Sequence, residues 1–231
     1  MPQTRVAGES GGRTGERRPS VSSYRRKLLR WFRRNGRTFP WRERRDRYAV
    51  LVGEILLQRT RGEAVAGAYE TFLRRWPTYE HLARARPSSV AAVVGRLGLA
   101  KRADFLVRLG RELSRRGGVP GDPEELAALP GVGPYVAHAV AVFADGRRLP
   151  LVDWVIARVL RRYFGLPGGR RPNADRELWS LAAELVRAGR AREVWLATLD
   201  LAAAVCKPRP LCPLCPLGSE CTFARTPSDA G

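Results

Sequence analysis

Apolar side chains recur at helical spacing along most of the chain. The first repeat places Tyr24, Leu28 and Trp31 on one face with arginines on the other. A dense apolar run follows over residues 48–57, and similar segments predict helices over 64–76, 79–85, 87–97, 101–115, 124–129, 134–144, 153–164, 175–188 and 191–206. Because strand-like alternation is essentially absent, the pattern predicts an all-α fold of about ten helices with short connections.

The net charge adds a functional constraint to this helical pattern. The 231 residues carry 42 Lys and Arg against 22 Asp and Glu, a formal net charge of +20. Residues 1–47 hold 15 of the basic and 4 of the acidic residues, so more than half of the excess lies there. This balance favours a polyanionic partner, most simply nucleic acid. The alternative is a solvated basic surface in an arginine-rich protein, since only Lys27, Lys101 and Lys207 are lysines.

The first segment of the chain has a different composition from the rest. Residues 1–22 are rich in Gly, Ser, Arg and Pro without periodicity, which predicts a flexible basic tail. The chain has no apolar run near the roughly 20 residues of a membrane-spanning helix, and its first 23 residues contain no apolar signal core. We therefore expect a cytoplasmic protein that has no membrane partner.

All four cysteines lie close to the end of the chain. Cys206, Cys212, Cys215 and Cys221 follow the spacing C-x5-C-x2-C-x5-C, in a segment stiffened by prolines. This is a metal-ligand spacing, and four thiolates bind either tetrahedral zinc or an iron–sulfur cluster. Common zinc ribbons use two separated C-x2-C pairs, whereas this chain has one. The spacing therefore favours a cluster over zinc.

Two carboxylates stand in apolar surroundings. Glu54 lies within the run Tyr48–Leu57, where a charged group needs partners or a raised pKa. It is either one half of a structural salt bridge or a general acid or base in a dry cleft. Asp153 lies between two apolar segments and is either a simple helix N-cap or a carboxylate at a buried helix mouth. Together, two such groups suit hydrolysis of a glycosidic bond.

A glycine-containing turn joins two predicted helices. In the segment Leu129–Gly133, Gly131 and Gly133 allow a tight hairpin and leave the N–H groups of the next helix accessible to a phosphate. Such a turn is a weak signal by itself. Its position twenty residues before Asp153 makes it more specific.

These motifs occur together in one known family. Five motifs carry this resemblance: the hairpin Leu129–Gly133, Val152-Asp153, the terminal cysteine loop, Trp41 ahead of Glu54–Thr60, and Leu199–Leu201 ahead of the cysteines. Residues 24–223 resemble the helix-hairpin-helix DNA glycosylases of the endonuclease III superfamily. Within that superfamily the chain resembles the MutY-type adenine glycosylases and, more closely, the mismatch-specific thymine glycosylases.

The resemblance implies a two-lobed helical protein with double-stranded DNA bound across the cleft. One lobe would be a helical barrel over residues 40–147 that includes the helix-hairpin-helix. The other would combine residues 23–39 and 148–225 and carry an iron–sulfur loop over 206–221. The implied cofactor is a 4Fe-4S cluster held by the four cysteines.

The resemblance also assigns roles to individual residues. Asp153 falls on the catalytic aspartate and Glu54 on the glutamate near the base pocket. Gln58 falls where a side chain fills the hole left by a flipped nucleotide, and Leu99 falls in the wedge loop that enters the duplex. Gly131 and Gly133 fall on the phosphate-binding hairpin.

Two positions depart from the family pattern. The gap between Cys206 and Cys212 is five residues where the family usually has six, which implies a tighter loop. The second position after Asp153 usually holds Asn or His, and here it is Val155. The loss of this polar partner bears on catalytic strength and on the choice of base.

Tyr135 decides the expected mechanism. Glycosylases that also cut the strand place a lysine here as the Schiff-base nucleophile, and a tyrosine forms no imine. The resemblance therefore implies a monofunctional enzyme. It also implies a monomeric protein of base excision repair, located at the nucleoid, that removes thymine or uracil opposite guanine. The alternatives are an adenine glycosylase acting on A:8-oxoguanine or A:G pairs, and a non-catalytic protein that senses lesions in DNA.

Overall fold

Residues 19–226 are described by the computed structural model, and they form helices and turns with no strand among them. The α-helices of this part are α1 Val21–Asn35, α2 Arg47–Leu57, α3 Gly62–Arg75, α4 Tyr79–Ala83, α5 Pro87–Val94, α6 Ala103–Arg115, α7 Pro123–Ala127, α8 Pro134–Phe143, α9 Trp154–Phe164, α10 Arg176–Arg187, α11 Ala191–Ala204 and α12 Thr222–Arg225. The all-α prediction is confirmed.

The boundaries of the helices differ slightly from those predicted. The predicted tail over residues 1–22 is too long by two residues, because α1 begins at Val21 after the N-cap Ser20. Residues 1–18 of that tail lie outside the described part of the chain. Helix α12 follows the last cysteine and is too short to give a periodic signal.

Aspartate side chains start four of the helices. The carboxylates of Asp46, Asp122, Asp153 and Asp175 accept hydrogen bonds from backbone N–H groups in the first turn of α2, α7, α9 and α10. The first N–H groups of a helix have no partner within the helix, so such caps stabilise its start by about 1 kcal/mol each.

The helices pack as two groups. In the first helical group, α2 to α8, the pairs α2–α8, α4–α6, α5–α6 and α7–α8 are in contact. In the second helical group, α1 packs on α10 and α11, and α9 packs on α11 and α12. Helix α8 also contacts α11, which joins the groups. The groups are made from the stretches assigned above to two lobes, whose boundaries stay a prediction.

Helix α1 closes the second helical group although it comes first in the chain. Tyr24 is fully buried, and its hydroxyl lies 3.1 Å from that of Thr198 in α11. Its ring meets the edge of the Tyr163 ring at 5.0 Å between centroids. These apolar and polar contacts hold α1 against the helices next to the cysteine loop.

None of the helices within residues 19–226 has the length and apolar character needed to cross a bilayer.

Candidate active site

A cavity of about 970 Å³ lies between the two helical groups. The predicted residues Glu54, Gln58, Gly133, Tyr135 and Asp153 all line it. They come from α2 and its C-terminal end, the start of α8 and the start of α9. The helix packing therefore brings together side chains that are up to 99 positions apart in the chain. A cavity of this size accommodates a whole nucleobase and its sugar.

Glu54 lies inside α2 and is 8% exposed. Burial and the negative charge of Asp153 raise its pKa to about 8, while the positive charge of Arg42 lowers it. Since a carboxyl group with this pKa is mainly protonated at neutral pH, Glu54 can donate a proton inside the cavity.

Asp153 is the N-cap of α9, and its carboxylate accepts the N–H of Ile156 at 2.7 Å. Burial raises the pKa of Asp153. Hydrogen bonds from the N–H groups of Ile156 and Val155 and the charge of Arg158 oppose that increase. These groups favour the carboxylate form of Asp153. The net pKa of Asp153 is still raised, but the donors around it limit the increase, whereas burial and the charge of Asp153 together raise the pKa of Glu54 to about 8. The two carboxyl groups thus have different environments.

Tyr135 lies in the first turn of α8 and is half-buried. Burial, together with the charges of Glu54 and Asp153, raises the pKa of Tyr135 well above its usual value. The phenol therefore keeps its proton and can donate a hydrogen bond. Among the described residues that line the cavity there is no lysine.

Arg42 is a cavity residue that the sequence pattern does not single out. It lines the cavity, and its guanidinium donates two hydrogen bonds to Asp200 in α11, at 2.8 and 2.7 Å. Asp200 is 1% exposed and also accepts from Nε of Arg37 at 2.7 Å. Burial acts to raise the pKa of Asp200, but these hydrogen bonds outweigh it and hold that pKa below its usual value. The sequence signal for this ion pair is Asp200, a carboxylate within the apolar run of α11, just as Glu54 is a carboxylate within the apolar run of α2.

The hairpin between α7 and α8 has the geometry that its glycines predict. Gly131 has φ +71°, and a Cβ there would approach the ring of Phe105 to 2.5 Å. Gly133 is the N-cap of α8 and has open space around its Cα. Both glycines are exposed. The hairpin backbone is therefore accessible to a phosphate.

Leu99 does not lie where a wedge residue is expected. It is 9% exposed and packs with the core, whereas Arg96, Gly98 and Lys101 in the same loop are exposed. The side chain of Leu99 reaches a duplex only if this loop rearranges, so its predicted role as a wedge stays a prediction.

The four cysteines come together beside α9. Cys206 and Cys221 both contact Arg162 of α9, since Nη1 of Arg162 lies 3.5 Å from Sγ of Cys206 and Sγ of Cys221 lies 3.4 Å from the carbonyl oxygen of Arg162. Burial raises the pKa of Cys215 to about 11, and Cys221, Cys206 and Cys212 act in the same direction. Among residues 19–226, no three Cys, His, Asp or Glu side chains are close enough to hold one metal ion. Four thiols are the donor set of either a zinc ion or an iron–sulfur cluster, so the predicted cluster stays a prediction.

Comparisons with known proteins identify the class to which this fold and site belong. Residues 52–184 match the model of the HhH-GPD superfamily of base excision DNA repair proteins, and the chain belongs to this superfamily. The match includes the second half of α2, the hairpin and Asp153.

Individual relatives with similar sequences are DNA glycosylases. The chain is 40% identical to the thymine/uracil-DNA glycosylase of Pyrobaculum aerophilum, covering 87% of this chain and 92% of that protein. It is 38% identical to the adenine DNA glycosylase of Mycobacterium tuberculosis, covering 86% of this chain and 68% of that protein.

Solved structures agree with this family. A thermostable thymine-DNA glycosylase has a TM-score of 0.82 and 33% identity, over 88% of this chain and 96% of the other. A non-covalent complex of endonuclease III with DNA has a TM-score of 0.75 at 20% identity, over 88% and 94% of the two chains, and shares the fold.

Proposed function

We propose that this protein is a monofunctional DNA glycosylase that releases thymine or uracil opposite guanine in double-stranded DNA. The observation that carries the proposal is the placement of two carboxyl groups in one cavity, namely Glu54, whose pKa is raised to about 8, and Asp153, which caps α9. The similarity to thymine and thymine/uracil glycosylases over most of the chain supports it.

Each carboxyl group has a separate task in this reaction. The bond between C1′ of the sugar and the base nitrogen breaks, and its electron pair leaves with the base. Glu54 assists by protonating the departing base or by positioning the water that adds to C1′. Asp153 stabilises the positive charge that develops on the sugar. Tyr135 lines the same cavity, where its half-buried ring helps to exclude bulk water.

The absence of a nearby amine supports a monofunctional enzyme. Strand cleavage through an imine needs an amine that attacks C1′, and no lysine is among the described residues that line the cavity. Water therefore completes the displacement, and the product is an intact strand with an abasic site.

Tyr135 supports a pyrimidine substrate. Its aromatic face at the cavity suits stacking on a flipped base, worth roughly 1–3 kcal/mol. A mismatched pyrimidine also flips at lower cost than a paired one, because its pairing energy is already partly lost. The cavity volume would also admit a purine, so the preference rests on Tyr135 and on the similarity to pyrimidine-releasing relatives.

We further propose that Cys206, Cys212, Cys215 and Cys221 bind a 4Fe-4S cluster. When bound, the cluster supplies a rigid cross-link for the loop that follows α11, and we give it no step in base release. Arg162 in α9 donates to the carbonyl oxygens of Lys207 and Pro208, at 2.6 and 2.9 Å. These hydrogen bonds attach the start of the loop to the helix that Asp153 caps.

Single-turnover assays on a panel of duplexes test the proposed function. We expect G:T and G:U to be processed at least about tenfold faster than A:8-oxoguanine, on the order of 1.4 kcal/mol in activation free energy. Nicks should appear only after alkali treatment. Faster adenine release would establish the adenine glycosylase instead, and imine trapping with borohydride would contradict the monofunctional mechanism. Tight binding without base release from any duplex would establish a lesion-sensing protein, for which Val155 at the cavity wall is the favouring observation.

A further inference from the structure

Arg102 joins the exposed loop before α6 to the end of α2. Its Nη1 donates to the carbonyl oxygen of Ile55 at 3.2 Å and to the side-chain oxygen of Gln58 at 2.9 Å. Both Arg102 and Gln58 line the cavity. This contact connects two segments that lie 44 positions apart and that both reach the cavity wall.

The contact determines which way the Gln58 amide is turned. A guanidinium group only donates hydrogen bonds, so it takes the amide oxygen and leaves the amide NH₂ group to donate elsewhere. A glutamine side chain otherwise has up to about 2 kcal/mol of rotamer entropy, and a group that is already ordered loses less of it on binding.

The backbone supports the same placement. Gln58 is the C-cap of α2, and the next residue, Arg59, has φ +63°, a left-handed conformation that is rare outside glycine. The chain therefore turns sharply immediately after Gln58. The side chain is fixed by a helix on one side, a tight turn on the other and Arg102 across the cavity wall.

We propose that Arg102 is a positioning residue that holds the amide of Gln58 toward the nucleotide opposite the excised base. The proposal rests on the proposed function and on the role that the family resemblance implies for Gln58, which is to fill the gap left by the flipped base. Arg102 thus contributes to the dependence of the reaction on the opposite base. Lys101, its exposed neighbour, has no such contact among those of the described residues and is expected only to attract phosphate.

The experiment compares Arg102→Met, Gln58→Ala and the double variant with the wild type and with Lys101→Met as the matched control. Single-turnover rates are measured for uracil opposite guanine, opposite adenine and in single-stranded DNA. We expect Arg102→Met to lower the guanine-over-adenine preference about tenfold, to the level of Gln58→Ala, with no further loss in the double variant. Lys101→Met should weaken binding to all duplexes about equally.

Several outcomes would overturn the proposal. If Arg102→Met slows all substrates equally, or if its effect adds to that of Gln58→Ala, Arg102 acts as a phosphate contact or a structural residue. An unchanged preference in Gln58→Ala also rejects it, because Gln58 then has no part in reading the opposite base.

Two further measurements keep the test decisive. Thermal melting checks the fold, and Arg102→Lys, which keeps the charge but can donate at fewer positions, replaces the methionine variant if that one unfolds. If the wild type releases no base, the proposed function fails. The positioning role is then judged from the same variants by their binding preference for abasic-site analogues opposite guanine or adenine.

Discussion

Asp153 and Glu54 line one cavity between the two helical groups, where burial together with the charge of Asp153 raises the pKa of Glu54 to about 8. The first carboxyl group lies at the start of α9 and the second inside α2, and Arg42 acts on Glu54 in the opposite direction. The protonation state of the proposed acid is therefore set by residues from three parts of the chain.

Asp153→Asn should abolish most base release without weakening the helix that it caps. Asn is as good an N-cap as Asp, so the hydrogen bond to Ile156 can be kept while the negative charge is lost. We expect a decrease in single-turnover rate of roughly 100-fold or more, with DNA binding nearly unchanged. Asp153→Ala should add a loss of about 1 kcal/mol in unfolding free energy. Wild-type rates in the asparagine variant would show that another carboxylate is the catalytic one.

Glu54 should make both activity and stability depend on pH. Its pKa rises from 4.5 to about 8 on folding, so between these values the folded protein binds a proton that the unfolded chain has released. The free energy of unfolding should therefore fall as pH rises through this window. Excision that needs the protonated form should decline above about pH 8. Urea titrations at several pH values test this, and Glu54→Gln should remove the dependence on pH while lowering the excision rate.

The buried carboxylate of Asp200 should be essential for stability. Asp200→Ala leaves Arg42, whose side chain is 10% exposed, without its ion-pair partner. Removal of one partner from a buried pair costs about 3–5 kcal/mol. The exposed pair of Arg115 with Glu112 on α6 is the control, and Glu112→Ala should change the denaturation midpoint far less. Equal effects of the two substitutions would contradict this interpretation of the buried pair.

The two hairpin glycines should respond differently to alanine. Gly131→Ala imposes a positive φ on a side chain that also collides with Phe105, and should cost roughly 1–3 kcal/mol of unfolding free energy together with DNA affinity. Gly133 has φ −87° and open space, so Gly133→Ala should leave stability nearly unchanged. Chemical denaturation and duplex binding at several salt concentrations measure both effects. The reverse order would show that the hairpin has another conformation.

The cysteine loop should carry iron. Protein purified without chelators should be brown and contain about four iron atoms per chain. Cys212→Ser should lose the colour and melt at a lower temperature, because the energy of cluster binding contributes to folding of the loop. A colourless protein with one zinc per chain, prepared anaerobically, would contradict the cluster.

Local features of the sequence were sufficient to predict the helices and several site residues. Helical periodicity and aspartate caps are properties of short segments, so α1, α2 and α9 could be located from residues a few positions apart. Glu54 was a candidate site residue because burial of a charged carboxylate within an apolar run costs free energy. The hairpin glycines were predictable for the same local reason, since a tight turn needs a backbone that few residues adopt.

Only the tertiary structure decided which of these groups act together. The pairing of Arg42 with Asp200, the contact of Arg102 with Gln58 and the inward packing of Leu99 each join segments that are distant in the chain. The pKa of Glu54 likewise depends on residues that are distant in the chain. Electrostatic interaction and desolvation depend on distances between atoms and on burial, and neither is a function of spacing along the sequence. The amino-acid sequence by itself thus determined the helices and the candidate residues, and the packing of helices decided their charges, contacts and exposure.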